Sequence, residues 1–188
     1  MVLTFIDIAE GGSVKKSSLE ALTYGGKIAA QLGVESQGVV LSPTTENLAA
    51  LGKYGVEKIH QVSNENLKHF DAQVFTNVIA QVAAQTGASV IVFSNNTDGK
   101  AVAPRLSAKL KAGLVSGAVA LPETGDGNFT VKKSVFSGKA FANVKLLSPV
   151  KIISLNPNAF TIDAGEGTAE VISFNATVDA PKITVKEV

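Results

Sequence analysis

The stretch NNTDGKAVAPRLSAKL, residues 95–110, gathers the residues whose types and spacing could do chemistry: Gly99 and Lys100 at a helix start, and Arg105 five positions further on. It follows SVIVFS (89–94), a short β-branched apolar run of the kind that fills a strand buried on both faces. In parallel α/β sheets, helix N-termini at the carboxyl ends of strands offer unpaired N–H groups and a positive dipole end, so an anion could settle here. The pattern is not a Walker loop. Phe93 or Ser94 stands where its first glycine belongs, and Ala101 follows Lys100 in place of the metal-holding Ser or Thr, so a kinase-like or ATPase-like reading fails at this site.

Arg105 is the single arginine among 17 basic residues. A lone guanidinium in a lysine-using chain is a candidate clamp for a carboxylate or phosphate, internal or across an interface. It shares a basic helix face with Ala101 and Lys109, while Val102, Leu106 and Leu110 recur every four residues as a buried stripe. Asp98 is the expected N-cap, and Pro104, well inside the helix, predicts a kink.

The remaining candidates are weaker. Glu10-Gly11-Gly12-Ser13 follows the first strand but lacks the aspartate and serine of an adenylating SGGxDS loop, and reads as a turn. His60 and His69 have no neighbouring ligand pattern and are expected at the surface. Asp163-Ala164-Gly165-Glu166-Gly167 has turn composition, not the setting of an acid–base pair, and no Ser-His-Asp constellation can be assembled. No catalytic residue and no metal ligand is expected.

The totals narrow the classes further. A chain of 188 residues suits one domain, 1–188, and can bury a real core. A formal charge of +1 gives no field to attract nucleic acid or a membrane surface, and no cysteine is present for thiolate, iron–sulfur or disulfide chemistry. The apolar start MVLTFIDIAEGG has no basic n-region and carries Asp7 within it, so it reads as a first strand of a cytoplasmic protein without membrane insertion.

The elements that must position these residues alternate. A strand is expected over residues 2–8, then a helix through Leu32 opened by the capping-box spacing of Ser17 and Glu20 and stopped by Gly33. Strands at 37–41 and 58–62 flank a short helix at 45–51. Asp71 caps a helix in which Val74, Val78 and Val82 line one face and which Gly87 ends, and the strand 89–94 follows. Such alternation predicts a parallel sheet with helices on its faces. Gly113 to Gly117 reads as a small-residue turn. Beyond Pro122 the texture becomes antiparallel: turn residues at 124–128, two β segments about Gly138 within 129–147, and a further segment at 150–155. Two late segments, EVISFNATV and ITVKEV, have strand composition, and Pro181 marks a linker or sheet edge.

Three stretches carry a resemblance. The opening strand, loop and helix contain SLEALT and an A-A-x-L-G ending at Gly33; GKAVAPRLSAKLKAGLVSG (99–117) has a Gly-Lys, Pro-Arg, Ala-Lys-Leu succession; and KKSVFSGKAFANVKLLSPVKIISLNPNAF (132–160) closes on Asn-Ala-Phe. Together they resemble the N-terminal domain of the electron transfer flavoprotein alpha subunit, along almost the whole chain. Departures are Lys133-Ser134 where the family usually has Arg-Pro, and Asn156 near a usual arginine. The resemblance implies an α/β fold of the adenine nucleotide alpha hydrolase-like kind, with a parallel sheet flanked by helices and a smaller antiparallel β layer toward the C-terminus. It implies a heterodimeric electron carrier, not an enzyme, that takes electrons from flavin dehydrogenases of the acyl-CoA dehydrogenase type, as in fatty acid oxidation, and passes them to a quinone oxidoreductase. The beta subunit would be the partner and hold AMP; FAD would sit mainly in a further alpha domain outside this chain, with none on these residues alone. Gly99, Lys100 and Arg105 would then be the flavin-side or interface contacts. The competing expectation is a small adenine-nucleotide-binding module of the universal stress protein type, using the loop 94–99 for a phosphate.

Overall fold

The computed structural model describes residues 1–185. The chain forms β1 (Val2–Phe5), α1 (Lys16–Leu32), β2 (Ser36–Val40), β3 (Lys58–Gln61), α2 (Ala72–Thr86), β4 (Val90–Ser94), α3 (Thr97–Leu110), β5 (Gly113–Ala118), β6 (Glu123–Gly125), β7 (Asn128–Val135), β8 (Ala140–Lys145), β9 (Lys151–Leu155) and β10 (Glu170–Ser173). They make one ten-stranded sheet in the order β10-β3-β2-β1-β4-β9-β5-β7-β6, with β8 paired to β7. Every pairing from β10 to β5 is parallel, and those of β7 with β5, β6 and β8 are antiparallel. The expected α/β architecture is present, and the antiparallel strands extend the edge of the parallel sheet.

Alternation explains the two-sided burial. Leu3, Phe5, Ile91, Phe93 and Ile152 pack with α2 and α3, whereas Val2, Val90, Val92, Ile153 and Leu155 pack with α1. Both faces of β1 and β4 are therefore dry, which is why VLTF and VIVFS carry no charge. Gly25 lets α1 lie against the sheet, because a Cβ there would strike Thr4 Oγ1.

Several expectations are corrected in detail. Helix α1 is capped neither by Ser17 nor by a Glu20 capping box: Lys15 is the N-cap residue without a side-chain bond, and the Glu20 carboxylate instead accepts from the Asn158 N–H at 2.7 Å. Gly113 to Gly117 is not a turn but most of β5; its sequence lacks the bulky alternation of a strand because Gly113 lies against Ser148 and Leu146, and Gly117 takes φ 85° at a register shift. The segment 150–155 is not part of the antiparallel region, since β9 enters the parallel sheet between β4 and β5. Of EVISFNATV only β10 is strand, forming the edge beside β3; 183–185 are irregular, and the rest of ITVKEV lies outside the described residues. The short helix expected at 45–51 is a 3₁₀ segment at Leu48–Tyr54. Asp71 caps α2 as expected, accepting from the N–H groups of Gln73 and Val74, and Gly33 and Gly87 end their helices in the left-handed region.

His60 is not at the surface. It is 8% exposed, packed edge-on to Phe174, with Nε2 2.7 Å from Gln37 Oε1. Gln37 Nε2 donates to Glu35 Oε2, so its Oε1 accepts and His60 carries the proton on Nε2. Burial and nearby Lys58 hold the ring below its ordinary pKa. His69 is exposed, as expected.

Candidate functional site

From β1 the chain moves to β2 and β3 on one side, then crosses to β4 on the other, so the carboxyl ends of β1 and β4 bracket a topological switch point. In open α/β sheets this crevice is where ligands collect. Asp7 lies just past β1, and Asn95 and Asn96 just past β4. The crevice is filled by the protein's own charges. Lys15 Nζ donates to Asp7 Oδ2 at 2.9 Å and to Asp98 Oδ2 at 2.8 Å. Asn96 Nδ2 donates to the same Asp7 oxygen at 2.7 Å.

Local structure forces this arrangement. The turn after β1 closes when Lys15 N–H donates to the Asp7 carbonyl, and Ser18 Oγ accepts from the Asp7 N–H at 2.8 Å. Lys15 thus ends directly over the strand. Across the crevice Asn96, not Asp98, is the N-cap of α3, its Oδ1 accepting from the Gly99 N–H at 2.9 Å. Capping two residues earlier than expected leaves Asp98 in the first turn, where it complements the helix dipole and faces Lys15. Further along the edge Asn95 Nδ2 donates to Asn156 Oδ1 at 2.8 Å, and Lys16 reaches Asn158 Oδ1 at 3.3 Å.

Burial raises the Asp7 carboxyl above its ordinary pKa, with repulsion from Asp98 adding to it and the hydrogen bonds from Lys15 and Asn96 opposing it. Burial pulls Lys15 down, but the hydrogen bonds it gives to Asp98 and Asp7 outweigh that and hold it above its ordinary value. The ammonium is therefore firmly charged at neutral pH, between two carboxylates. A phosphate entering here would meet the oxygens of Asp7 and Asp98, so the residues present do not fit a nucleotide phosphate.

The three residues singled out from sequence part company. Gly99 is buried, and a Cβ on it would overlap the Ser94 carbonyl oxygen; the glycine lets the first turn of α3 start against the end of β4. Lys100 is exposed. Arg105 is also exposed, its Nη1 folded back to donate to the Ala101 carbonyl of its own helix at 2.6 Å. Helix α3 runs unbroken through Pro104, whose ring is exposed, so the expected kink does not interrupt it. The groups that meet in the crevice are Asp7, Lys15, Asn96 and Asp98. Asp7 drew notice only as a charge interrupting an apolar start, and its signal was its place at the carboxyl end of the first strand.

Other features hold no comparable cluster. The loop 163–167 is irregular, with Asp163 paired to Lys27 at 2.8 Å beside a hollow of about 570 Å3 lined by Val119, Leu121 and Phe160. Among the described residues no group of three His, Cys, Asp or Glu could hold a metal, and no helix is long and apolar enough to cross a membrane.

Comparison with known proteins gives a consistent result. The family described as electron transfer flavoprotein domain matches residues 2–179. The electron transfer flavoprotein subunit alpha of Bacillus subtilis is 29% identical over 148 residues, covering 78% of this chain and 45% of the relative. Protein FixB of Clostridium saccharobutylicum is 25% identical over 134 residues, 71% of this chain and 40% of its own length. The acryloyl-CoA reductase electron transfer subunit beta of Anaerotignum propionicum is 26% identical over 106 residues, 56% and 29% of the two chains. The chain spans less than half the length of these relatives.

Proposed function

Since the chain belongs to the electron transfer flavoprotein domain family, we propose that it is the alpha-type N-terminal domain, residues 1–188, of a heterodimeric carrier that moves electrons between flavin dehydrogenases and a quinone-linked acceptor. Its work is to hold a beta-type partner subunit and to support the flavin-bearing part of the complex. It performs no bond-making step of its own. FAD is supplied mainly by residues outside this chain, and AMP belongs to the beta subunit. The relatives named as subunit alpha, FixB and a reductase's electron transfer subunit support the carrier role.

The observation that carries the reading is the self-filled crevice. The Asp98 carboxylate in the first turn of α3 supplies internally the negative charge that a bound anion would otherwise bring to the helix end, and Lys15 ties it to Asp7. The family geometry is kept as a scaffold. Lys100 and Arg105, exposed on α3, are the cations assigned to flavin-side or interface contacts, and Gly99 serves them by seating the helix on β4.

A thermal-shift titration of the 188-residue chain with AMP, ATP and FAD tests this. A ligand at 100 times its Kd stabilises by about 2.7 kcal/mol, a shift that such a titration reads easily. No saturable shift is expected from any of the three. Saturable stabilisation by AMP or ATP, abolished by substitution in the 94–99 loop, would favour a nucleotide-binding module instead.

A further inference from the structure

The strongest unassigned feature is the β7–β8 hairpin. Between Asp126 and Asp163 the chain has no acidic residue but five lysines, Lys132, Lys133, Lys139, Lys145 and Lys151, in a protein whose formal charge is only +1. Among the described residues none of these lysines forms an ion pair. The same stretch leaves apolar side chains in solvent: Phe136 is 80% exposed, Phe141 59% and Leu147 83%. Register puts Lys132, Asn143, Phe141 and Lys145 on one face of the hairpin, with Lys132 Nζ 4.6 Å from the centre of the Phe141 ring.

Phe136 and Ser137 take φ 51° and 55° at the hairpin tip, a left-handed conformation that bulky side chains rarely adopt. A hairpin that carries exposed aromatics, Phe136 at its tip and Phe141 beside Lys132, together with unneutralised lysines has the composition of a contact site: apolar anchors with charged neighbours. A second copy of the chain does not suit it, because an isologous contact would set lysine against lysine. Nucleic acid does not suit it either, since the face has no arginine and the chain no net basic field.

We propose that the β7–β8 hairpin is a docking surface for an acidic protein surface with an apolar hollow, Phe136 entering the hollow and Lys132, Lys139 and Lys145 pairing with carboxylates around it. The proposal rests on the reading that this domain works by holding a partner chain, and takes the beta-type subunit as the probe. Titration calorimetry would compare the unaltered chain with Phe136→Ser, with Lys132→Glu/Lys145→Glu, and with Lys139→Glu, at low and moderate salt. All four positions are exposed, and urea midpoints would verify that folding is retained.

Phe136→Ser and the double reversal are each expected to weaken binding about tenfold or more. Binding by the unaltered chain is expected to weaken with salt. Equal binding by all variants, or binding indifferent to salt, would overturn the hairpin assignment while leaving the partner reading in place. Absence of binding by the unaltered chain would remove both. Hairpin-dependent binding of single-stranded DNA or anionic vesicles, included as parallel arms, would overturn the choice of an acidic protein.

Discussion

Replacing Lys15 by Met is the sharpest test of the crevice, because it removes the charge and keeps the stem. Asp7, with a side chain 9% exposed, would lose the cation that opposes both its burial and the repulsion of Asp98. Removing one partner of a fully buried pair costs about 3–5 kcal/mol. Lys15 is 33% and Asp98 19% exposed, so water and Asn96 recover part of this, and the expected loss is about 2–3 kcal/mol at neutral pH. For a chain of this length that lowers Tm by roughly 4–12 °C.

The pH dependence carries the diagnosis. Without Lys15 the folded-state pKa of Asp7 rises further above its unfolded value of 3.8. A carboxyl whose folded pKa is raised binds protons more tightly when folded, so the variant gains stability relative to wild type as pH falls toward that pKa. Urea unfolding of both proteins at pH 7.5 and at about pH 5 should show the gap narrowing at the lower pH. A variant carrying both Lys15→Met and Asp7→Asn should recover much of the loss, since no buried charge is then stranded. A cost below about 0.5 kcal/mol, or one unchanged between the two pH values, would refute the latch.

Three further outcomes follow from particular contacts. Gly99→Ala should lower stability by more than about 2 kcal/mol in urea unfolding, because the new methyl overlaps the Ser94 carbonyl and the backbone must move. Asp71→Ala should cost about 1 kcal/mol near neutral pH. Burial opposes the Asp71 charge, but hydrogen bonds from the N–H groups of Val74, Gln73 and Lys182 hold its carboxyl below the ordinary 3.8, so thermal melts should show this contribution above pH 3.8 and its loss as acid protonates the group. Lys15 has its folded pKa raised above 10.5, so its share of stability should persist to pH 10.5 and decline above it, a decline absent from Lys15→Met.

The parallel half of the fold was legible because its signals are local. Uncharged β-branched runs marked β1 and β4, Asp71 marked the start of α2, and Gly33 and Gly87 marked helix ends. What was hidden depends on partners distant in sequence. Strand β9 is separated by 56 residues from the end of β4, which it joins at Ser94–Leu155 and neighbouring pairs, and no local pattern says that such a segment enters a sheet in parallel. Strand β5 was masked by two glycines, Gly113 because Ser148 and Leu146 lie against it and Gly117 because its φ is 85°. His60 looked free because its partner, Gln37, lies on another strand.

The site shows the same division with a functional edge. Gly99 and Lys100 stood out because their order imitates a phosphate loop, yet the first is a packing requirement and the second faces solvent. The residues that decide what the crevice accepts, Asp7 and Lys15, come from an unremarkable turn, and meet Asp98 only because β1 and β4 are neighbours in the sheet. A carboxylate on each side of a switch point with an ammonium between them is a closed electrostatic unit. Opening it to a phosphate would require Lys15 to exchange two carboxylates for the ligand while both carboxylates repel it. A few side chains at this one edge therefore decide whether the fold can take a phosphate there, and in this chain they close it.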